Sequence, residues 1–571
     1  MPTVQELARM PQHDNALGKT KAQDKIDRFK QLIGERSNFE NYWQILHDYF
    51  YIEAENFSKA YAAGAELDAT YLWDATTLEA ADVLASGFMN YLTPPTSKWF
   101  KLRPKSKEFL ENKAVADFLE NVAAEVYYTL NRCNFYDQSF PAFKSSGVYG
   151  TSLLLEEDDY DDGARFFNLP LKQVVVVEDA KGRVIEYYIE FEYTALQAAT
   201  RWGKDNLSEA LKQELDAKVG QDKKHKFLLF IGKRFHRDIK SETKNNLPIE
   251  AIWIDVEGRT TIEETGYYEF PAMCHRFDKR PFIPWGFSPA MKALPFARLL
   301  NAVAKTNLRA MMKRTDPPIA LPDNAFIMPF NANPRAVNYY KRTVMEGGAK
   351  DIFAFANYGD PAFGTQSVEY YSQKVKSLMF NDIFLAFEGL TKQMQNPEVY
   401  ERINEKMTLL GPAVGRWTAE VSNPIVIRTI GILMRQGRLP PIPDEILMNN
   451  DPFLYEIDYV SQLAQAQRRS ELNSLVTALT MTGQMANFSP EILDGVDPDK
   501  TRTEVWGITG APVKVLRSDD EIQKIREARG QAQAKAQELA IITEGAKAAQ
   551  SAAAADKLIA EATATGRKTL E

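Results

Sequence analysis

The sequence predicts an α+β fold, mainly helical, with antiparallel strands concentrated in its first half. Three observations carry this. Apolar residues recur every three or four positions through long stretches such as 75–92 and 397–421. Val174–Val177 and Val184–Glu192 are β-rich runs flanking a glycine turn. Finally, a basic amphipathic stretch, Pro289–Arg314, runs into Pro317–Pro318, and a second helical stretch begins near Ser367. Residues 288–390 therefore read as a helix, a small protruding module and a returning helix.

In chain order, 20–60 reads as a helix pair, with Phe29, Leu32, Ile33 and Arg36 and then Phe39, Tyr42, Trp43, Leu46, Tyr49 and Phe50 at helical spacing, a core-forming stripe. Ala75–Leu92 is a strong amphipathic helix stopped by Thr93-Pro94-Pro95, and Trp99–Arg103 alternates like a strand. Val115–Leu130 and Phe140–Gly147 are helical, and Thr151–Glu156 is a strand. Asp179-Ala-Lys-Gly182 places glycine where a hairpin needs positive φ. Helices are expected at Thr194–Trp202 and Leu207–Leu215, and strands at Phe227–Arg237, Ile249–Val256 and Tyr267–His275. In the second half, Asn396-Pro397 opens a long helix that Gly411-Pro412 should kink, and Asn423-Pro424 restarts a helix ending at Gly437. Tyr459–Met485 and Ser518–Arg529 read as helices, followed by an Ala- and Gln-rich tail with a thin apolar face.

The 571 residues are ample for several domains, and 44% apolar with 26% charged residues describes a folded globular chain. A net charge of −8 argues against a protein that grips nucleic acid over its whole surface, so any basic patch is local. Cys133 and Cys274 make neither a disulfide framework nor a metal motif, and read as thiols in a reducing compartment. Residues 1–14 lack a signal-peptide pattern, and no apolar run approaches the roughly 20 residues of a membrane span, so cytoplasmic synthesis is expected. No P-loop, zinc-protease, nucleophile-elbow or dinucleotide motif occurs, and the five histidines are scattered. The acidic run Glu156–Asp162 resembles a calcium loop, but Tyr160 and Leu169 stand where carboxylates are needed, leaving a solvated turn between strands. No enzyme activity, cofactor or metal is expected.

Two stretches could carry function. Arg298, Lys305, Arg309 and Lys313 share one helical face, with Leu299, Leu300, Val303, Leu308, Met311 and Met312 away from it. This stripe is either a solvated or salt-bridged face, or a cationic surface near a polyanion; recurring as rings around an axis, it would let the polymer slide. The other is the polar stretch Thr391–Asn396, between the returning helix and the long helix.

Ordered motifs along roughly residues 20–530 give a resemblance. They are Leu84-Ala-Ser-Gly-Phe88 through Leu92-Thr-Pro-Pro-Thr-Ser-Lys-Trp-Phe-Lys-Leu102, Gly147-Val-Tyr-Gly-Thr-Ser152, Glu178-Asp-Ala-Lys-Gly-Arg183, Gly266-Tyr-Tyr-Glu-Phe-Pro271, Gly286-Phe-Ser-Pro-Ala290 with Ala293-Leu-Pro295 and Leu300-Asn301, and Leu410-Gly-Pro412 with Gly437-Arg-Leu-Pro440. The chain resembles the head-to-tail connecting (portal) proteins of short-tailed double-stranded DNA phages.

The resemblance implies a homo-oligomeric ring of about twelve subunits at a capsid vertex of the virion. It implies a conduit for genome packaging and ejection, with double-stranded DNA, terminase, a tail adaptor, capsid and scaffolding proteins as partners, and no membrane. It implies a wing (1–287), a first stem helix (288–316), a clip (317–366), a second stem helix (367–390), a channel loop and wing spine helix (391–455) and a crown (456–571). Lys392, Gln393, Met394, Gln395 and Asn396 would then approach DNA, as would Arg298, Lys305, Arg309 and Lys313. Exposed Tyr339, Tyr340, Lys341 and Arg342 of the clip are the expected partner contacts. The loop reads Gln393-Met-Gln-Asn-Pro-Glu398 where the family carries Thr-Ala-Thr-Glu. The competing readings are a helical tail or scaffold adaptor, and a cell-wall hydrolase using Glu156 and Asp161 as paired carboxylates.

Overall fold

A computed structural model of the chain describes residues 20–54, 56–57, 69, 71–105, 112–217, 222–235, 237–238, 243–315, 319–320, 353–354, 361–390, 410–443, 455–459, 475–485, 496–509 and 519–567. These fall into two units, those within Met1–Lys101, Val122–Pro441 and Ile457–Leu463, and those within Leu102–Asn121, Ile442–Glu456 and Ala464–Glu571.

The first unit opens with α1 (Lys21–Phe50), capped by Thr20 and Gln23 in a reciprocal capping box. The expected helix pair is one uninterrupted helix. Gly34 lies in open space and costs about 1 kcal/mol in a helix interior, too little to break a helix whose apolar stripe is buried on both sides. Phe29, Trp43, Leu46 and Phe50 are in the core. Arg36 is buried with them, donating to the Leu171, Lys172 and Val174 carbonyls and to Glu40. Next come α2 (Thr76–Leu92), β1 (Phe100–Pro104), α3 (Lys113–Arg132) and α4 (Phe135–Tyr149). The chain passes between the two units within β1 and α3.

Two antiparallel sheets form the β part. β2 (Thr151–Asp159), β3 (Gly163–Leu169) and β9 (Ala272–Arg276) stand in the order β3-β2-β9. β4 (Val174–Glu178), β5 (Val184–Thr194), β6 (Lys224–Lys233), β7 (Ile249–Asp255) and β8 (Thr260–Tyr267) form a five-stranded meander. The β4–β5 turn is as expected: Gly182 has φ 75°, and Asp179 accepts from the Lys181 and Arg183 amides. β8 was not anticipated, and the strand expected over Tyr267–His275 is two pieces, β8 ending at Tyr267 and β9 starting at Ala272 in the other sheet. α1 lies on the meander, with Phe29 stacked on Tyr188 and Lys25 over the Phe230 ring. α5 (Ala195–Trp202), capped by Thr194, and α6 (Glu209–Ala217) follow β5, and Trp202 packs on Phe227 and Trp253.

The short β10 (Asp278–Lys279) and β11 (Gly286–Phe287) lead into α7 (Pro289–Thr315). β12 (Ile319–Ala320) pairs with β13 (Phe353–Ala354), and the chain returns through α8 (Pro361–Leu378) and α9 (Asn381–Leu390). The returning helix thus starts before the expected Ser367, inside the stretch assigned to the clip, and it breaks at Phe380, whose φ is 60°.

Beyond residue 409, α10 (Gly411–Trp417) has Pro412 in its first turn, runs through a π-helical turn at Thr418–Ser422 and continues as α11 (Asn423–Arg435). Of the long helix expected from Asn396-Pro397, residues 397–409 lie outside the described residues, as does the segment entering the expected Gly411-Pro412 kink. Within the described part a π turn interrupts the helix, and Asn423-Pro424, expected to restart one, sits on a continuing helix, with Gly437 (φ 67°) just past its end. Tyr459 ends a strand, β14 (Tyr455–Tyr459), where a helix was expected; 475–485 is helical. In the second unit, α12 (Pro498–Thr509) carries Asp499, which takes both guanidinium nitrogens of Arg526 from α13 (Asp519–Arg567) at 2.8 and 2.9 Å. The Ala-rich tail belongs to α13, a single helix of 49 residues and about 74 Å.

α11 is fastened to the small sheet by buried polar groups. Arg428 is fully buried, donates to the Glu156 carbonyl at 3.0 Å and pairs with Asp158 at 2.8 Å. Glu156 is also fully buried, and its Oε1 accepts from the Thr429 hydroxyl at 2.9 Å. Burial pushes the Glu156 carboxyl up to about 8, against the opposing pull of Arg428 and Thr429. The folded state therefore holds a proton that the unfolded chain releases near pH 4.5, and stability falls as pH rises from there through about 8. Glu156→Gln keeps the acceptor and removes the charge. It is expected to raise the unfolding free energy at pH 9 by on the order of 1–4 kcal/mol, and the unfolding temperature with it, and to change both little near pH 5. Thermal unfolding followed across that range checks the crossover; a shift independent of pH would contradict it.

Candidate functional site

The α7–α8 helical hairpin is the site with the most distinctive chemistry, and its exit from the sheets is tightly built. Gly150 (φ 82°) and Gly286 press backbone to backbone: a Cβ on Gly286 would stand 2.0 Å from the Gly150 carbonyl oxygen. The Gly286 amide donates to Thr151 Oγ1 at 2.9 Å. Ser288, also buried, is the N-cap of α7: its hydroxyl accepts from the Met291 amide at 3.0 Å and donates to the Val148 carbonyl at 2.6 Å, with Pro289 next in the first turn. Farther along, Asn301 donates to the Tyr71 carbonyl at 2.9 Å and accepts from the Trp73 amide at 2.7 Å.

α7 and α8 lie close because α8 carries Gly364, where a Cβ would stand 2.2 Å from Asn307 Oδ1. α8 is held to α2 by Thr76–Ser372 (3.1 Å) and by Lys376–Glu79 (3.6 Å). The left-handed Phe380 stacks its ring on Phe277, and Phe384 packs on Phe88.

Charge on α7 is one-sided. Its sequence holds Lys292, Arg298, Lys305, Arg309, Lys313 and Arg314 and no acid. The anticipated stripe divides on inspection. Arg309 is exposed. Arg298 is exposed beside Tyr42, whose hydroxyl burial pushes up and Arg298 pulls part of the way back. Lys305 is half-buried over the Trp73 ring, 5.3 Å from its centre. Lys313 lies in the last turn of α7, and its side chain is outside the described residues. Among the described residues, Arg298, Lys305 and Arg309 have no carboxylate partner. Of the apolar residues expected away from the stripe, Leu300 is in the core, while Leu299, Leu308, Met311 and Met312 are exposed. Lys392, Gln393, Met394, Gln395 and Asn396, and Tyr339, Tyr340, Lys341 and Arg342, lie outside the described residues.

Glu156 and Asp161, the carboxylates of the competing hydrolase reading, do not converge. Glu156 is sealed beneath α11, and Asp161 is on the exposed β2–β3 turn, where Asp159 accepts from the Asp161 and Asp162 amides. Among the described residues no histidine, cysteine and carboxylate cluster could hold a metal, and no helix is long and apolar enough to cross a membrane. Both cysteines are free, and burial pushes the Cys133 thiol up to about 11 and that of Cys274 to about 12.

Sequence reasoning missed Arg276, a residue 3% exposed that governs how the hairpin leaves the sheets. Its backbone amide and Nε donate to Glu420 in the π turn at 2.9 and 3.0 Å. Its Nη atoms reach Glu178, Glu420 and the Gly182 carbonyl. A lone arginine at the end of a strand carries no sequence signal of such a role; only the positions of Glu178 and Glu420 in space reveal it.

The hairpin's close approach predicts a specific coupling. Gly364→Val should destabilise by about 1–3 kcal/mol through overpacking against Asn307, and Asn307→Ala in the same chain should recover most of the loss. A double-mutant cycle of unfolding temperatures measures this, and additive effects would show that the two helices are not in register at that point.

The chain is 27% identical over 527 residues to the probable portal protein of Bordetella phage BPP-1, covering 92% of this chain and 94% of that one. It is 27% identical over 545 residues to the portal protein of Salmonella phage epsilon15, covering 94% and 95%. A family model described as bacteriophage head to tail connecting protein matches residues 22–516. With every described strand and all described helices except α13 inside or nearly inside that match, the chain belongs to the bacteriophage head-to-tail connecting protein family.

Proposed function

We propose that the chain is the subunit of a portal ring at one capsid vertex, a conduit for double-stranded DNA during packaging and ejection. The observation that carries this reading is the chemistry of α7: six cations with no acid, next to Leu299, Leu308, Met311 and Met312 left exposed by the single chain. Such a helix is completed when copies stand side by side, burying the apolar residues and repeating the cations around an axis. Weak, spaced cationic rings hold a polyanion loosely enough for it to move. The resemblance to the two phage portal proteins over nearly the full length supports the same reading.

In this account the role is structural rather than catalytic. The absence of a phosphate-binding motif leaves the work of packaging to a terminase docked on the ring, which a tail adaptor later replaces. Tyr339–Arg342, between β12 and β13 in the chain, are the proposed contacts for those proteins, and Lys392–Asn396 the proposed loop beside DNA. Capsid and scaffolding proteins surround a ring of about twelve copies. The protein is made in the host cytoplasm and ends in the virion.

Neutralising Arg298, Lys305, Arg309 and Lys313 together to Gln tests the channel role. Sedimentation mass should remain that of the wild-type assembly, while DNA retained by assembled heads at low salt changes by about tenfold or more. Loss of assembly would instead make these residues inter-subunit ion-pair partners, and a wild-type chain that sediments as a stable monomer would contradict the portal reading itself.

A further inference from the structure

Among the described residues, three other than glycine have positive φ: Arg259, Phe282 and Phe380. Arg259 is in the tight β7–β8 turn. Phe380 breaks α8 from α9, and its ring is stacked on Phe277. Phe282 has no such return. It is 99% exposed, at φ 62°, in a turn closed by the Ile283 amide on the Arg280 carbonyl. Pro281 precedes it, so a bulky aromatic holds the position that this turn type gives to glycine or asparagine. The turn is strained and its base is anchored, with Trp285 buried against Trp43 and Arg280 stacked over Phe287. Backbone strain that presents a fully exposed aromatic points to a contact outside the chain.

The surroundings say what kind. Lys279 pairs with Glu178, and Arg276 donates to the Gly182 carbonyl, so the β4–β5 turn lies alongside. Lys181, Arg183 and Arg280 are exposed there and form no ion pair among the described residues, outnumbering the one exposed acid of the same hairpin, Asp278. A matching feature of opposite charge exists at the other end of the same sheet. The β2–β3 turn carries Tyr160, 89% exposed, between Asp159 and Asp161. Arg438 holds the Tyr160 carbonyl and Arg132 takes Asp162, leaving Asp159 and Asp161 without an ion pair among the described residues. β2 starts at Thr151, paired with Arg276 just before the Phe282 turn, and ends at Asp159, just before Tyr160. Its 9 residues put the two turns at opposite ends of a strand about 27 Å long.

We infer that the Phe282 turn of one copy seats on the Tyr160 turn of the next, a basic aromatic knob against an acidic aromatic one. Unlike surfaces at opposite ends of a body make a head-to-tail contact, the kind that closes into a ring. This rests on the portal reading above and adds to it the residues of one inter-subunit contact.

The test uses the full chain carrying p-benzoylphenylalanine in place of Phe282, irradiated in annular particles verified by electron microscopy. Cross-linked dimers whose joined peptide comes from within residues 151–169 of a second copy are expected. Annular particles that give no cross-linked dimer, or cross-links elsewhere in the chain or to another protein, overturn the contact and leave the portal reading standing. A wild-type chain that forms no annular particles removes both. Because the cross-linker could disturb the turn, charge exchange provides a second reading. Arg280→Asp should raise the concentration needed for assembly by about tenfold, and Asp161→Arg in the same chain should restore it. Assembly of both variants at the wild-type concentration would overturn the contact. Phe282→Gly should weaken assembly similarly while leaving the monomer's unfolding temperature within about 2 °C, since glycine accepts this φ without strain.

Discussion

The arrangement depends on one buried guanidinium. Arg276 joins the end of the small sheet, the β4–β5 turn through Glu178 and the Gly182 carbonyl, and the π turn through Glu420. A buried arginine shared by two carboxylates adds little net stability, because desolvation offsets most of the attraction, but it tolerates only one arrangement of its partners. The residues that follow use that fixed point. Phe277 receives the Phe380 ring at the break in the returning helix, Gly286 packs on Gly150, and Ser288 caps α7. The helical hairpin is thus aimed by a short stretch, 276–288, whose polar and backbone contacts leave little freedom. The π turn fits the same logic: an extra residue in a helical turn is a defect unless it places a side chain, and here it places Glu420.

What could be read from the sequence was what neighbours in the chain decide. α2 lies within one residue of its expected start because apolar spacing and Thr93-Pro94-Pro95 are local signals. The β4–β5 hairpin was legible from Asp179 and Gly182, which build the turn from their own backbone and side chain. What escaped depends on partners distant in sequence. The continuity of α1 past Gly34 is enforced by core contacts to the meander and by Arg36 bonded some 135 residues away. The start of α8 at Pro361, ahead of its clear apolar pattern, is held by packing on α7 through Gly364. The helix expected from Tyr459 does not begin there: Tyr459 ends β14 and stacks on Trp99 far upstream.

The candidate surface was partly legible in the same way. The spacing of Arg298, Lys305 and Arg309 put them on one face of α7, and the helix is there. The spacing could not show that Lys305 would lie over Trp73 while Arg309 has no carboxylate partner among the described residues, since Trp73 comes from a segment more than two hundred residues earlier. Equally, an apolar stripe on a helix predicts burial without saying in what. Leu299, Leu308, Met311 and Met312 are exposed among the described residues, and a row of exposed large apolar side chains is the mark of a surface completed by another molecule.

The central claim is that α7 becomes part of a channel wall only when copies assemble. Electron microscopy of the purified, assembled protein, at a resolution that traces helices, tests it most directly. The account predicts annular particles in which α7 and α8 line the central hole, with Arg309 facing the hole and Leu308, Met311 and Met312 covered by the adjacent copy. Particles without a hole, or a ring whose hairpin projects from its outer rim, would contradict it.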